Sequence, residues 1–256
     1  ANVIVATIQR VAEVGAAPAT APPPRYVVPC AGGVENFAHQ LWNSLAAIED
    51  SLEALAALPT FKFFGTQFFG DLLDIFPELV GVDVVSAPSR NRETYGPPPD
   101  HALFVSIGGY VFTRDIVDRV RQAAVARADP LVVNRVREAR EQGAVVVWFG
   151  LRVGDKAWAE QTANVVAVVE ALRRRWPDVL VVLDTFSFPD GPDFVSKRWK
   201  HQLGALRRVA AAIVESLGED AADRIVDLTG HRLSTAIAVA GEVTVYVTPL
   251  GTTQHK

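Results

Sequence analysis

Cysteine is almost missing from this chain: Cys30 is the only one in 256 residues. That excludes an internal disulfide and a thiolate-rich metal site, and it fits a reducing compartment. Methionine is absent altogether. Long apolar runs are missing too. The longest, Ala144 to Leu151, falls far short of the roughly 20 residues that cross a bilayer and reads as a buried strand. The segment before Pro22 carries Arg10 and Glu13 within its apolar stretch and has no basic leader, which speaks against a secretory signal. Neither sign of charge dominates. With 25 Lys and Arg against 29 Asp and Glu, the formal net charge is -4, and the mixture leaves no field suited to a nucleic-acid backbone. No G-x-G-x-x-G follows a strand, no G-x-x-x-x-G-K-[ST] occurs, and no G-x-S-x-G nucleophile elbow is found. The histidines, His39, His101, His201, His231 and His255, lack metal-ligand spacing, so no zinc site is expected.

What is present is an α/β pattern. Apolar residues make up 49% of the chain and charged residues 21%, as in folded globular proteins. Short apolar strands alternate with amphipathic helices nearly throughout, the pattern of parallel sheets covered by helices on both faces. Arg25 to Cys30 reads as a strand ending at Gly32-Gly33, and Glu35 to Leu58 then sets Leu41, Leu45, Ile48, Leu52 and Leu55 on one helical face. Phe61 to Gly65 is a second strand, Phe69 to Ile75 a short helix, the proline-rich stretch from Pro88 to Asp100 a loop, and His101 to Ile107 a further strand. A helix from Thr113 ends at Asp129-Pro130, because proline disfavours helix in the residue before it. There the expected junction falls between an N-terminal domain, 1–129, and a C-terminal domain, 130–256. In the second half, strands at Ala144 to Phe149, Val179 to Leu183, Arg224 to Asp227 and Val243 to Val247 alternate with helices at Trp158 to Trp176, Asp193 to Leu217 and Ser234 to Ala240. The C-terminal domain is expected to be truncated, since the Gly251-Thr252-Thr253 turn after its last strand is where a further helix should start.

Ligands of open α/β sheets gather at the carboxyl ends of the strands, so polar residues just after each strand are the candidates. Gly150 to Trp158 sets Arg152 and Lys156 between a strand and a helix start, where backbone N–H groups and two cations suit a phosphate. A solvated loop whose Asp155 caps the helix is the alternative. Gly251, Thr252, Thr253, Gln254 and His255 follow another strand and combine close backbone approach with hydroxyl and amide donors, or form a plain turn. At the start of the first long helix, Glu35 and His39 stand one turn apart, and either can take a proton from a hydroxyl. An N-capping cluster with a half-buried histidine explains that pair equally well. Asp184 and Thr185, with Ser187 and Asp190, suit a ribose or sugar hydroxyl, or belong to a solvated loop in which Asp193 caps the helix that follows.

The second half resembles the donor-binding domain of the ADP-heptose:lipopolysaccharide heptosyltransferases and their GT-B relatives. Their strand, T-R-x-D-K-x-W-like loop and helix are matched by Leu151-Arg152-Val153-Gly154-Asp155-Lys156-Ala157-Trp158. Their G-x-x-s-L-x-E-x-A helix is matched within Leu228 to Ala238, and their D-x-G-x-x-H turn by Gly251-Thr252-Thr253-Gln254-His255. The likeness covers most of the second half and is faint in the first. The family has a catalytic Asp in a G-D-x-x-H-like run, whereas here Asn36 precedes Phe37-Ala38-His39 and Glu35 is the nearest acid; Pro249-Leu250 also replaces the acid before Gly251. Leu151 to Asp155 is similar, too, to the H-x-R-x-G-D loop of GT-B fucosyltransferases, with Gly150 in place of the histidine.

The resemblance implies a fold of two Rossmann-like parallel-sheet domains facing a cleft, and a bacterial glycosyltransferase of polysaccharide biosynthesis. It implies donor-phosphate contacts from Arg152, Lys156, Gly251, Thr252, Thr253 and His255, and nucleoside or sugar contacts from Asp184, Thr185 and Gln254. The catalytic group is sought among His39, Glu35 and Asn36. The donor is a nucleotide-diphosphate sugar, the acceptor a glycan or a lipid-linked hydroxyl. Transfer is expected to be a metal-independent displacement with no cofactor, in the cytoplasm or at the inner face of the inner membrane. The alternative is a degenerate, non-catalytic GT-B module that holds a nucleotide or glycan. A sugar-nucleotide epimerase is disfavoured by the missing dinucleotide fingerprint.

Overall fold

The computed structural model describes residues 26–32, 37–64, 67–87, 102–109, 111, 113–153, 157–191 and 197–248. The chain divides into two units between Val120 and Arg121, and each carries a four-stranded sheet whose pairs are all parallel. The fold is therefore α/β, and in both sheets the strand order is that of a Rossmann-like half, with the fourth strand returning beside the first.

In the first unit, β1 (Tyr26–Gly32), β2 (Thr60–Phe64), β3 (Asp83–Ala87) and β4 (Ala102–Ser106) lie in the order β3-β2-β1-β4. The centre is β1, with Cys30 in register with Lys62 on one side and Ser106 on the other. After β1, the helix α1 has three parts, Phe37–His39, Gln40–Leu45 and Ala46–Asp50, of which the middle one is π-wound. Ser51 then interrupts it before α2 (Leu52–Ala56). The uninterrupted helix expected from the apolar spacing is thus corrected. Its apolar face is nonetheless buried at Leu41, Leu45, Ile48 and Leu55. A π turn persists only where tertiary contacts select it. Here Gln40 is buried, and its Oε1 accepts from the Phe68 N–H at 2.9 Å. Phe61 and Phe63 of β2 are buried, as are Leu72 and Ile75 of the short helix α3 (Leu72–Ile75), which Asp71 caps by accepting from Leu73 N at 2.9 Å.

The helix α4 (Arg114–Arg127) is followed after two residues by α5 (Pro130–Glu141). Asp129 caps α5 by accepting from Leu131 N at 3.0 Å, and Pro130 sits at the first helical position, where a missing N–H costs nothing. The proline that ends one helix therefore also begins another, which the sequence reading did not include.

The second sheet runs β7-β6-β5-β8, with β5 (Val146–Gly150), β6 (Leu180–Asp184), β7 (Ile225–Asp227) and β8 (Val245–Val247). Period-two alternation sends Val146, Trp148, Leu180, Val182 and Val226 into a core with α5 and with α9 (Leu233–Ala240). Val147, Phe149, Val181, Leu183 and Ile225 point the other way, against α6 (Gln161–Arg175), α7 (Lys197–Leu217) and Ala221 of α8 (Glu219–Ala222). Both faces are thus covered, which is why the strands read as continuous apolar runs. Because α6 and α7 cover one face and α9 the other, the chain reverses its direction of winding between β5 and β8. At that reversal Gly150 faces β8: a Cβ there would lie 2.9 Å from Thr248 Cγ2, so only glycine lets the two strand ends approach this closely. Among the described residues β8 forms an edge, with Val245 and Tyr246 45% and 48% exposed. The Tyr246 hydroxyl turns inward to donate to the Ala240 carbonyl, and burial pushes this phenol up to about 12.

Among the described residues, no helix is long and apolar enough to cross a membrane, and no group of three or more His, Cys, Asp or Glu is placed to hold a metal ion.

Candidate functional site

The carboxyl ends of β5 and β6 bring together three of the expected residues: Arg152, Asp184 and Thr185. Gly150 and Asp184 are in register, and Leu151 N donates to the Asp184 carbonyl at 2.7 Å. Arg152 then folds over the strand ends. Its Nη1 donates to the carbonyls of Leu151 and Thr185, both at 3.2 Å. Burial lowers the Arg152 pKa from its ordinary value, and the neighbouring Asp184 carboxylate offsets part of that shift. Asp184 is itself fully buried, so this pair of opposite charges lies largely out of water at the end of the sheet.

Two further features mark this end, of which Gln161 was not read from the sequence. The first is Gln161, the opening residue of α6, which is buried and grips the Arg152 peptide at both ends. Its Oε1 accepts from Arg152 N, and its Nε2 donates to Arg152 O, each at 2.9 Å. The helix begins here and not at Trp158, because Glu160 adopts a left-handed conformation, φ 49°, that ends the preceding turn. The second is the Thr185 hydroxyl. Thr185 is 3% exposed, and its Oγ1 has no hydrogen-bond partner among the described residues. A buried hydroxyl left unpaired costs about 1–3 kcal/mol, so it needs either a bound partner or a structural reason to persist.

The loops after β6 and β7 are stitched together. Gly230 N donates to Phe186 O and Phe188 N to His231 O, both at 2.8 Å, and Leu233 N donates to Phe188 O at 2.7 Å. Asp190, expected as a loop residue, caps α9 from a distance: it accepts from Ser234 N at 2.7 Å and from Ser234 Oγ at 2.5 Å. Burial raises its carboxyl above the ordinary value, against the Ser234 hydrogen bonds and the charges of Arg127 and Arg232. The folded state holds that proton more tightly than the unfolded chain. Asp190 therefore contributes stability that is fully present below the ordinary carboxylate range and is lost as pH rises through its folded-state value. We expect the stability difference between the protein and Asp190→Asn to move in favour of the variant as pH rises from about 4 to neutrality. Denaturant unfolding at a series of pH values measures it, and a flat or opposite slope would contradict the assignment.

In the first unit, the ends of β1 and β4 carry a second polar cluster. His39 is exposed, and its ring stands edge-on to Trp42 at 5.9 Å. Its Nδ1 lies 3.3 Å from Asn43 Oδ1. Asn43 in turn holds the segment after β4, with Nδ2 donating to Gly109 O and its own carbonyl accepting from Gly109 N, both at 2.9 Å. A Cβ at Gly109 would come within 3.2 Å of Ala47 N and Trp42 O, so glycine is what allows this approach. Asn43 belongs to the site by geometry but was not among the expected residues. The other expected residues, Glu35, Asn36, Lys156, Gly251, Thr252, Thr253, Gln254 and His255, lie outside the described residues.

No protein-family model matches this chain, and no curated protein matches it.

Proposed function

We propose that this protein is a glycosyltransferase that moves a sugar from a nucleotide-diphosphate donor to a hydroxyl of a glycan or lipid-linked acceptor. The observation that carries the reading is the buried, unpaired Thr185 hydroxyl next to the Arg152–Asp184 pair, at the carboxyl ends of β5 and β6 and beside the β5/β8 reversal. Ligands of such sheets bind at that reversal. An unpaired hydroxyl at that place is a donor and acceptor of the kind that a ribose, sugar or phosphate oxygen takes as a partner.

On this reading the two parallel-sheet units are the domains of a GT-B enzyme, with the donor held by the second. Arg152, Lys156, Gly251, Thr252, Thr253 and His255 would bind the diphosphate, and Asp184, Thr185 and Gln254 the nucleoside or sugar. His39 of the first unit takes the proton of the acceptor hydroxyl. The new bond to the anomeric carbon forms as the bond to the diphosphate oxygen breaks, and the cations stabilise the charge that develops on the leaving group. One observation favours a second reading, a non-catalytic nucleotide- or glycan-binding module: Arg152 Nη1 is already committed to two backbone carbonyls, the role of a residue that ties strand ends together.

Titration with ADP, GDP, UDP and CDP tests the donor site. One nucleotide is expected to bind in the micromolar range and to lose that binding in Lys156→Ala. Thr185→Val separates ligand binding from fold: it should raise the stability of the ligand-free protein by about 1 kcal/mol, by removing an unsatisfied group, while weakening nucleotide affinity about tenfold. Failure of all four nucleotides to bind would sink the glycosyltransferase reading.

A further inference from the structure

We propose that Asn43 is a positioning residue that holds neutral His39 in its Nδ1–H tautomer, so that the basic lone pair sits on Nε2. The catalytic meaning of that tautomer rests on the reading of His39 as the base, but the tautomer itself follows from the hydrogen bonds alone. Asn43 presents an amide with one donor end and one acceptor end. Which end faces which neighbour is fixed by Gly109, whose carbonyl can only accept. Asn43 Nδ2 donates to that carbonyl at 2.9 Å, so Oδ1 is the atom turned to His39, as the 3.3 Å contact with Nδ1 has it. An amide oxygen can only accept, and Nδ1 must therefore carry the hydrogen. In a neutral imidazole the other nitrogen then holds the lone pair.

The arrangement is held from three sides. The Asn43 carbonyl accepts from Gly109 N at 2.9 Å, which locks the segment after β4 to α1 independently of the Asn43 side chain. Gly109 has no Cβ to push this segment away from Ala47 and Trp42. Trp42 stands edge-on to the imidazole at 5.9 Å and restricts its rotation. The π-wound turn that contains Asn43 is also where a helix departs from its most stable winding, a departure found often at functional sites. A base whose tautomer is set before substrate arrives does not lose time in the unproductive form, and the group that sets it acts on turnover more than on binding.

Imidazole nitrogen shifts read the tautomer directly. In 15N-labelled protein, at a pH well above neutral, the His39 signals are identified by their loss in His39→Gln. The expected pattern is a protonated Nδ1 and an unprotonated Nε2, reverting in Asn43→Ala towards the Nε2–H form that histidine favours in water. An Nε2–H pattern in the unsubstituted protein overturns the proposal, and so does an Nδ1–H pattern that survives in Asn43→Ala. Where transfer is measurable, Asn43→Ala should lower kcat about tenfold with KM within about twofold. A tautomer that moves as expected while kcat stays at the parental value supports the role of Asn43 and removes His39 from the base assignment, which keeps the two failures apart.

Discussion

Replacing Trp148 with alanine is expected to cost the second unit about 3–5 kcal/mol of stability, a large share of the roughly 5–15 kcal/mol that holds a typical domain together. Trp148 is at the centre of β5, has no exposed surface, and meets the Tyr246 ring at 5.8 Å across the β5/β8 pairing. Its neighbours in the core come from the adjacent strand and from two different helices, Val182 in β6, Val136 in α5 and Val239 in α9. They are anchored to separate elements and cannot collapse together into the space the indole leaves. Trp148→Phe is the informative companion. The indole Nε1 has no hydrogen-bond partner among the described residues, so phenylalanine removes an unsatisfied donor along with part of the volume, and the two effects oppose each other. It should cost far less than alanine. Urea denaturation followed by far-ultraviolet circular dichroism gives both values; equal losses for Phe and Ala would mean that the cavity is not what matters.

With the donor identified by nucleotide titration, His39→Gln is expected to leave nucleotide affinity within about twofold and to slow transfer by about 100- to 10,000-fold, the range that general base catalysis supplies. Glutamine is chosen because its amide can still donate to Asn43 and fill the place of the ring, while it takes no proton near neutral pH. Single-turnover transfer of labelled sugar to a hydroxyl acceptor is the measurement. A variant that transfers at the parental rate would move the base elsewhere, with Glu35 as the acid nearest in sequence.

The parallel sheets were legible because burial on both faces produces signals that survive in a single sequence. Val146 to Gly150 and Leu180 to Asp184 are buried at every position, and such strands read as unbroken apolar runs. Asp83–Ala87 was not read. It is a five-residue strand that begins with a charge, and nothing in Asp83-Val84-Val85-Ser86-Ala87 alternates clearly enough to separate it from the loop after it. What supports it is its register with β2. The break at Ser51 and the π turn before it escaped notice for a related reason. The spacing of Leu41, Leu45 and Ile48 is helical either way, and the buried Gln40 side chain meets its partner, Phe68 N, 28 residues away.

The candidate site divides in the same manner. Arg152, Asp184 and Thr185 could be picked out because strand ends are where polar residues stand out against apolar runs. Gln161 and Asn43 could not, since each acts through a backbone group that only the fold brings near. Gly108-Gly109, one residue beyond the end of β4, was the one sequence signal for the Asn43 contact, two adjacent glycines where another element has to come close. Asp190 was visible as a loop acid, but its use as a cap for α9 depends on Ser234, 44 residues further on.

The reversal of winding at β5 also fixes an order of events. β5, β6 and β7 pair as neighbours in both sequence and space, so they can assemble with α6 and α7 in successive local steps. β8 cannot: Val146 N reaches Thr244 Oγ1 across 98 residues, and the loop between them must close before the contact yields anything. β8 is only three residues long, with two of them exposed, so it brings little buried area to that closure. In the folding of the second unit β8 is therefore expected to join last among the described strands and to leave first, the Gly150–Thr248 approach opening with it, so that its amide protons exchange before those of β5 and β6.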